Sequence, residues 1–267
     1  MKAYASIFKL RLANGLQYRT AALAGIATQL FFGLVFIMIV VAFYRHSAVE
    51  QPISLSQLAA YIWLQQAFLS FIMLWFRDNE LFQLITTGNI AYELCRPTGI
   101  YGFWYAKLLA QRLASAILRC IPVIFIALLL PAPYRLTLPP HPINLILFFV
   151  TLALGLFILV AISMFIYIMT FVTMSPTGSL LMFSVLGEFF AGLTVPIPLM
   201  PDWLKTIVYA LPFRWSADFP FRVYSGHISA NEALAGIPLQ LLWLAALVAL
   251  GMYTMRGALQ RVVVQGG

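Results

Sequence analysis

Charged residues are scarce in this chain: Asp, Glu, Lys and Arg make up 9% of its 267 residues, whereas apolar residues make up 63%. Soluble domains contain about 25% charged residues, so the composition excludes an ordinary water-soluble fold. Only two cysteines occur, Cys95 and Cys120, which does not indicate a disulfide framework. The three histidines are never at metal-ligand spacing, and no zinc or heme site is expected.

Six apolar stretches are long enough to cross a bilayer, because about 20 apolar residues span its hydrocarbon core. They cover residues 20–44, 57–76, 104–131, 143–173, 178–199 and 235–255. The sequence therefore predicts an all-α, polytopic membrane protein with one transmembrane domain over residues 1–267. The first stretch is too long for the apolar part of a signal peptide, so we interpret it as the first span.

Positive charge indicates the orientation of these spans, because loops rich in Lys and Arg stay in the cytoplasm. With six spans, ten Lys and Arg residues fall on the side of the N-terminus, five on the other side, and Arg119 within a span. We therefore expect both termini in the cytoplasm. The net charge of +8 is scattered between apolar runs, so it does not indicate a nucleic-acid partner.

The segment between the second and third spans carries an apolar stripe at helical spacing. Asp78 or Asn79 can cap the start of a helix there, and Pro97 ends it. The stripe predicts a cytoplasmic amphipathic helix over about residues 79–96, with Gly88 as the candidate break. Such a helix either lies on the lipid surface or presses its apolar face into a groove of a partner subunit. The stripe consists of Leu81, Leu84, Ile85, Gly88, Tyr92 and Cys95.

A second long connection, over residues 196–234, joins the fifth and sixth predicted spans. Its prolines divide it into pieces too short to span, and aromatic residues such as Trp203 and Trp215 favour the bilayer interface. We expect short helices that dip into the outer leaflet, with Asp202 as a cap of one of them. They act either as a structural lid or as a gate for a substrate.

The ordered set of motifs resembles the type-2 ABC exporter permease family, in its branch of six-span subunits with about 260 residues. The resemblance covers the chain from end to end, and each short motif alone is weakly specific. The matching stretches are Gly88-Asn-Ile-Ala-Tyr-Glu-Leu-Cys-Arg-Pro97, Tyr101-Gly-Phe-Trp-Tyr-Ala-Lys107, Ile197-Pro-Leu-Met-Pro-Asp-Trp203, Leu211-Pro-Phe213 and Val263-Val-Gln-Gly-Gly267.

The resemblance implies a half-transporter in the bacterial inner membrane. Its partners would be a dimer of cytoplasmic ATP-binding-cassette ATPases and a second permease, either the same or a related chain. The sequence itself lacks a G-x-x-x-x-G-K-[ST] phosphate loop, so ATP and magnesium are expected on the ATPase and no cofactor on this chain. The resemblance assigns the ATPase contact to Leu81, Leu84, Ile85, Ile90, Tyr92 and Glu93.

Glu188 lies midway along the fifth predicted span, where an ionisable group is costly unless it is paired or solvated. Arg119, in the third span, is the candidate partner, and both residues are expected to face a polar cavity on the translocation path. Structural alternatives remain open. Glu188 can be a protonated acid or hold two helices together, and Arg119 can extend toward the inner surface.

Two other classes of function compete with the exporter permease. A self-sufficient channel or secondary carrier would use Glu188 as an ion or proton site and would transport without nucleotide. An anchoring subunit would transport nothing in any combination. The identity of the exported substrate, whether drug, lipid, peptide or glycan, does not follow from the sequence.

Overall fold

A computed structural model describes residues 2–47 and 50–260, and within these ranges helices are the only regular elements. Two 3-10 turns, at Ile197–Leu199 and Phe213–Ser216, interrupt the second long connection. The all-α fold class is thus confirmed, while residues 263–267 of the last motif lie outside the described ranges. The α-helices are α1 (Lys2–Gly15), α2 (Arg19–His46), α3 (Leu55–Ala67), α4 (Leu69–Ile72), α5 (Asn79–Thr86), α6 (Ala91–Leu94), α7 (Ile100–Leu129), α8 (Pro142–Thr173), α9 (Pro176–Phe190), α10 (Asp202–Tyr209), α11 (Asp218–Tyr224) and α12 (Ala230–Leu259).

Four of these helices, α2, α7, α8 and α12, are long and apolar enough to cross a membrane. They correspond to the first, third, fourth and sixth predicted spans, with ends that differ by a few residues. The chain is therefore a membrane protein by length and composition of its helices. Pro142 opens α8, where its missing N–H leaves no helical hydrogen bond unmade.

The other two predicted spans are shorter and less regular than expected. Residues 57–76 form α3 and α4, which meet at Phe68, and the helix ends at Ile72 instead of continuing to residue 76. Residues 178–199 form the 15-residue α9, followed by a turn at Gly192, which has a φ of +79°. Hydropathy alone does not mark either helix end, because the apolar composition continues beyond it.

The centre of the bundle is α8, which packs against α12, α11, α9 and α5. Its middle is fully enclosed, with Ile158, Val160 and Ala161 at 0% exposure. By contrast, large apolar side chains of α2 such as Phe31 and Phe43 are more than half exposed, as expected of a lipid-facing or partner-facing surface. The core therefore follows α8, and α2 lies at the periphery.

The connection between α9 and α12 packs on the N-terminal half of α8. Gln240 of α12 donates from Nε2 to the carbonyls of Thr151 at 2.8 Å and Trp215 at 2.9 Å, which joins the connection to both long helices. Gly155 of α8 permits this approach, since an added Cβ would lie 2.8 Å from the carbonyl oxygen of Ser216. The connection thus fills a space between helices.

Candidate functional site

The segment after α4 folds as two short helices and not as one. Asp78 caps α5, accepting a hydrogen bond from the Glu80 N–H at 2.9 Å, so one of the two predicted caps is confirmed. Gly88, with a φ of +75°, separates α5 from α6. Only a residue without Cβ adopts this conformation at little cost, which explains a break at this position. We call α5 and α6 together the α5–α6 segment.

Two of the six residues of the apolar stripe, Leu81 and Ile85, are buried against the chain itself, and so is Ile90 between α5 and α6. Leu81, Ile85 and Ile90 are 0–3% exposed, and Phe82, which the stripe did not include, stacks on Tyr167 of α8 with ring centroids 4.6 Å apart. These side chains attach α5 to the bundle, so they are not on the surface that a partner would meet. The expected groove contact through them therefore needs revision.

The predicted contact residues that remain outside are few. Tyr92 of α6 is 74% exposed, Leu84 of α5 is half-buried, and the neighbouring Leu94 is 45% exposed. We call Tyr92 and Leu94 the exposed side chains of α6. Two large apolar side chains on a four-residue helix have little reason to face water, which makes them the best available contact surface of the segment.

Glu93 also faces inward. Trp104 Nε1 of α7 donates to its Oε2 at 3.3 Å, and Arg96 pairs with its Oε1 at 3.1 Å. The guanidinium of Arg96 in turn lies 4.8 Å from the centre of the Phe103 ring. Glu93 therefore anchors α6 to α7, and its carboxylate is covered by the chain itself.

A charged cluster joins α5 to two other helices. The Glu80 carboxylate forms ion pairs with Arg11 of α1 and with Lys107 of α7, whose Nζ lies 3.3 Å from Oε1. Lys107 is 2% exposed, so its ammonium depends on this partner. Partial burial acts to raise the pKa of Glu80, but the hydrogen bonds and charges of Arg11 and Lys107 outweigh it and hold the pKa below its ordinary value.

The link between α4 and α5 is held by a buried arginine. Arg112 of α7 donates to the main-chain carbonyls of Met73 at 2.7 Å and Phe76 at 3.1 Å, groups that no helix satisfies after α4 ends. At the end of this link, the Asp78 N–H donates to the Tyr167 hydroxyl at 2.9 Å. The α5–α6 segment is thus tied to both α7 and α8 through polar contacts.

Glu188 lies in a polar cavity of about 340 Å³ between α2, the α3–α4 pair and α9. Three glutamines, Gln29, Gln65 and Gln66, line the same cavity and were missed from the sequence, where only ionisable groups were considered. The rarity of carboxamides within apolar runs was the signal that would have found them. We call this space the polar cavity.

The structure does not bring Arg119 and Glu188 together. No ion pair joins them, although both residues are described, and Arg119 does not line the polar cavity. Its guanidinium lies instead against Gly25 of α2, where an added Cβ would be 2.8 Å from Cζ. Their charges alone suggested the pairing, and the sequence does not specify which helices face each other.

The turn after α9 is held by α3. Gln65 Nε2 donates to the Leu193 carbonyl at 2.8 Å, and the Tyr61 hydroxyl donates to the Gly192 carbonyl at 3.0 Å. These bonds satisfy carbonyls that follow the end of α9. They also fix Glu188, four residues before Gly192, in its position beside α3.

The second long connection contains a buried ion pair. Asp218, 1% exposed, lies 3.3 Å from Arg222 in the same helix. Burial raises the pKa of Asp218 above its ordinary value, although the charges of Arg222 and Arg214 act in the opposite direction. Arg214 stacks over Tyr209, with Cζ 4.3 Å from the ring centre, which joins α10 to the following turn.

Comparison with known proteins gives no relative for this chain. No family model, curated protein or solved structure matches it.

Proposed function

We propose that this chain is the membrane subunit of an exporter driven by a separate ATP-binding-cassette ATPase dimer. The observation that carries the proposal is the α5–α6 segment, which exposes Tyr92 and Leu94 and is fixed to α7 and α8 by its buried side chains. Such a segment can pass a displacement of its surface to the spans as a rigid element.

The path of force follows the polar contacts. A push on the exposed side chains of α6 reaches α7 through the hydrogen bond between Glu93 and Trp104. The displacement of α5 reaches α1 and α7 through the ion pairs of Glu80. Arg112 holds the link at Met73, so α4 moves with α5. Because these hydrogen bonds and ion pairs join α5 and α6 to their neighbouring helices, they transmit motion better than a mobile loop does. The spans would then rock between inward and outward openings.

The proposed subunit crosses the membrane six times, with both termini in the cytoplasm of a bacterial cell. In addition to the four long helices, α3 and α4 cover residues 55–72, about 27 Å at 1.5 Å per residue, and α9 covers about 22 Å. Both lengths approach the roughly 30 Å hydrocarbon core, particularly where the turns at their ends are enclosed by neighbours. A second permease, identical or related, would complete the transporter.

An ATP-independent carrier that uses Glu188 is the second candidate. The observation in its favour is that Glu188 lies in the polar cavity with a buried carboxylate oxygen that has no hydrogen-bond partner. This hypothesis predicts transport by the purified chain in liposomes without nucleotide, abolished by Glu188→Gln. The exporter hypothesis predicts no such transport.

Photocrosslinking from Tyr92 tests the exporter proposal. A photoreactive phenylalanine analogue is placed at position 92 and, as a matched control, at Tyr253 of α12, which is 76% exposed. We expect position 92 to capture a protein with a phosphate-loop ATPase sequence and position 253 to capture none. Crosslinks to lipid alone from both positions would overturn the proposal.

A further inference from the structure

The polar cavity contains side-chain groups whose hydrogen bonds are unmade. Gln29 of α2 is 2% exposed, and neither its Nε2 nor its Oε1 has a hydrogen-bond partner among the described residues. Oε1 of Glu188 is likewise buried and unpaired. Buried polar groups without partners are rare in folded proteins, because each costs about 1–3 kcal/mol. Three such atoms on facing helices indicate a site for a ligand that supplies their partners.

The unmade bonds specify what that ligand must offer. The Glu188 carboxylate and Gln29 Oε1 need hydrogen-bond donors, whereas Gln29 Nε2 needs an acceptor. Thr28 adds lone pairs, because its hydroxyl proton is already given to the Ala24 carbonyl at 3.0 Å. Among the described residues no Lys or Arg lines the cavity, and the Arg119 guanidinium lies against Gly25 instead. The cavity therefore holds one carboxyl group and no cation of the described part of the chain to pair with it.

The remaining wall of the cavity is apolar. Phe32 and Phe36, one turn apart on α2, are 46% and 44% exposed and line the same space. Aromatic faces accept both the hydrocarbon part of a ligand and a cation positioned over the ring. A volume of about 340 Å³ is at the lower end of small-ligand sites, so it suits the head group and first carbons of an amphipathic molecule.

The geometry points to a binding site for a protonated, amphipathic amine in the polar cavity. The ammonium donates to the Glu188 carboxylate and to Gln29 Oε1, while the apolar part of the molecule lies against Phe32 and Phe36. That such amines are the exported cargo rests on the proposed function, whereas their binding to the isolated chain does not.

Binding of dansylcadaverine, a fluorescent alkylamine, tests the site directly. The chain is reconstituted into phosphatidylcholine nanodiscs without any ATPase, and empty nanodiscs measure partition into lipid. The matched neutral probe carries a hydroxyl in place of the amine. We expect saturable binding of the amine, weakened at least about tenfold by Glu188→Gln or by Gln29→Leu, because each variant removes a hydrogen bond to a charged group.

Asp202→Asn serves as the control, since the Asp202 side chain is 99% exposed and does not line the cavity. We expect it to bind the amine as the unaltered chain does. Gln29→Leu keeps the test decisive if Glu188→Gln lowers the yield of folded protein. Equal binding of the amine and the hydroxyl probe, or binding that neither cavity variant alters, would overturn the site, as would a signal equal to that of empty nanodiscs.

The same measurement separates this inference from the proposed function. Amine binding without association of any ATPase would remove the exporter proposal and leave the site. ATPase association with no amine binding would remove the site and leave the exporter proposal.

Discussion

The guanidinium of Arg112 donates to the main-chain carbonyl of Met73 at 2.7 Å, immediately after α4 ends. The arginine is 1% exposed and faces carbonyls instead of a carboxylate. It therefore replaces the helical hydrogen bonds that α4 would have made by continuing. This contact positions the start of α5 and, with it, the surface that the proposed ATPase would meet.

Arg112→Met should destabilise the protein by about 2–5 kcal/mol, because it leaves buried carbonyls without donors. The measurement is the denaturation midpoint in detergent. Arg119→Met is the matched control on the same helix, since Arg119 makes no hydrogen bond with its Nε and lies against Gly25. We expect no loss of stability in the control. An equal loss in both variants would contradict the role given to Arg112.

Glu80→Gln should lower stability only at neutral pH. The pKa of Glu80 in the folded chain is below its ordinary value, so its ionised form stabilises the fold. This stability is fully present above the pKa of about 4.3 in the unfolded chain. It is lost as the pH falls through the pKa in the folded chain. Because the side chain is 53% exposed, we expect less than about 1 kcal/mol. Denaturation midpoints measured from pH 7 to pH 3 check this.

Glu50→Gln provides the comparison, because Glu50 is exposed and forms no ion pair among the described residues. At neutral pH this variant should be about as stable as the unaltered chain. A Glu80→Gln difference that grows on acidification would show that the sign of the coupling is wrong.

Gly88→Ala should strain the turn between α5 and α6 by about 1–2 kcal/mol, because a Cβ is disfavoured at a φ of +75°. Gly88→Asn should cost less, since asparagine tolerates this region better. Gly257→Ala is the control and should not destabilise, because no atom of the described residues lies within 4 Å of the added Cβ. Denaturation midpoints are compared for the three variants. A Gly88→Ala variant that is at least as stable as Gly88→Asn would contradict the left-handed turn at position 88.

Phe82→Ala and Tyr92→Ala should separate stability from partner binding. Phe82 is 5% exposed and stacked on Tyr167, so its removal should cost about 3–5 kcal/mol. Tyr92 is 74% exposed, so its removal should change stability by less than about 0.5 kcal/mol while it weakens ATPase association. The denaturation midpoint measures stability, and co-purification measures association with the ATPase. A loss of stability in Tyr92→Ala would show that Tyr92 also supports the fold and would contradict its assignment to partner binding alone.

The long helices could be predicted from the sequence because length and hydropathy are local properties. The helix α8 was located within one residue, since an unbroken apolar run follows Pro142. The early end of α4 could not be predicted. The carbonyl groups that follow this helix accept their hydrogen bonds from Arg112, about 40 residues later in the chain. The end of a helix within an apolar run depends on tertiary contacts that periodicity does not contain.

The site was predicted less completely for the same reason. The stripe with Leu81 and Ile85 correctly indicated an apolar face, but amphipathicity does not tell whether the covering surface belongs to the same chain. Glu188 was found as a lone acid, yet its neighbours Gln29 and Gln65 come from two other helices. Only the packing of α2, α3 and α9 brings them together.

The most direct test of force transmission measures ATP hydrolysis by the ATPase that position 92 captures, reconstituted with this chain in nanodiscs. We predict that the chain raises the hydrolysis rate several-fold, that Tyr92→Asp removes this increase with an unchanged denaturation midpoint, and that Tyr253→Asp preserves it. An ATPase rate that is the same with and without the chain, or the same for Tyr92→Asp and the unaltered chain, would contradict the account.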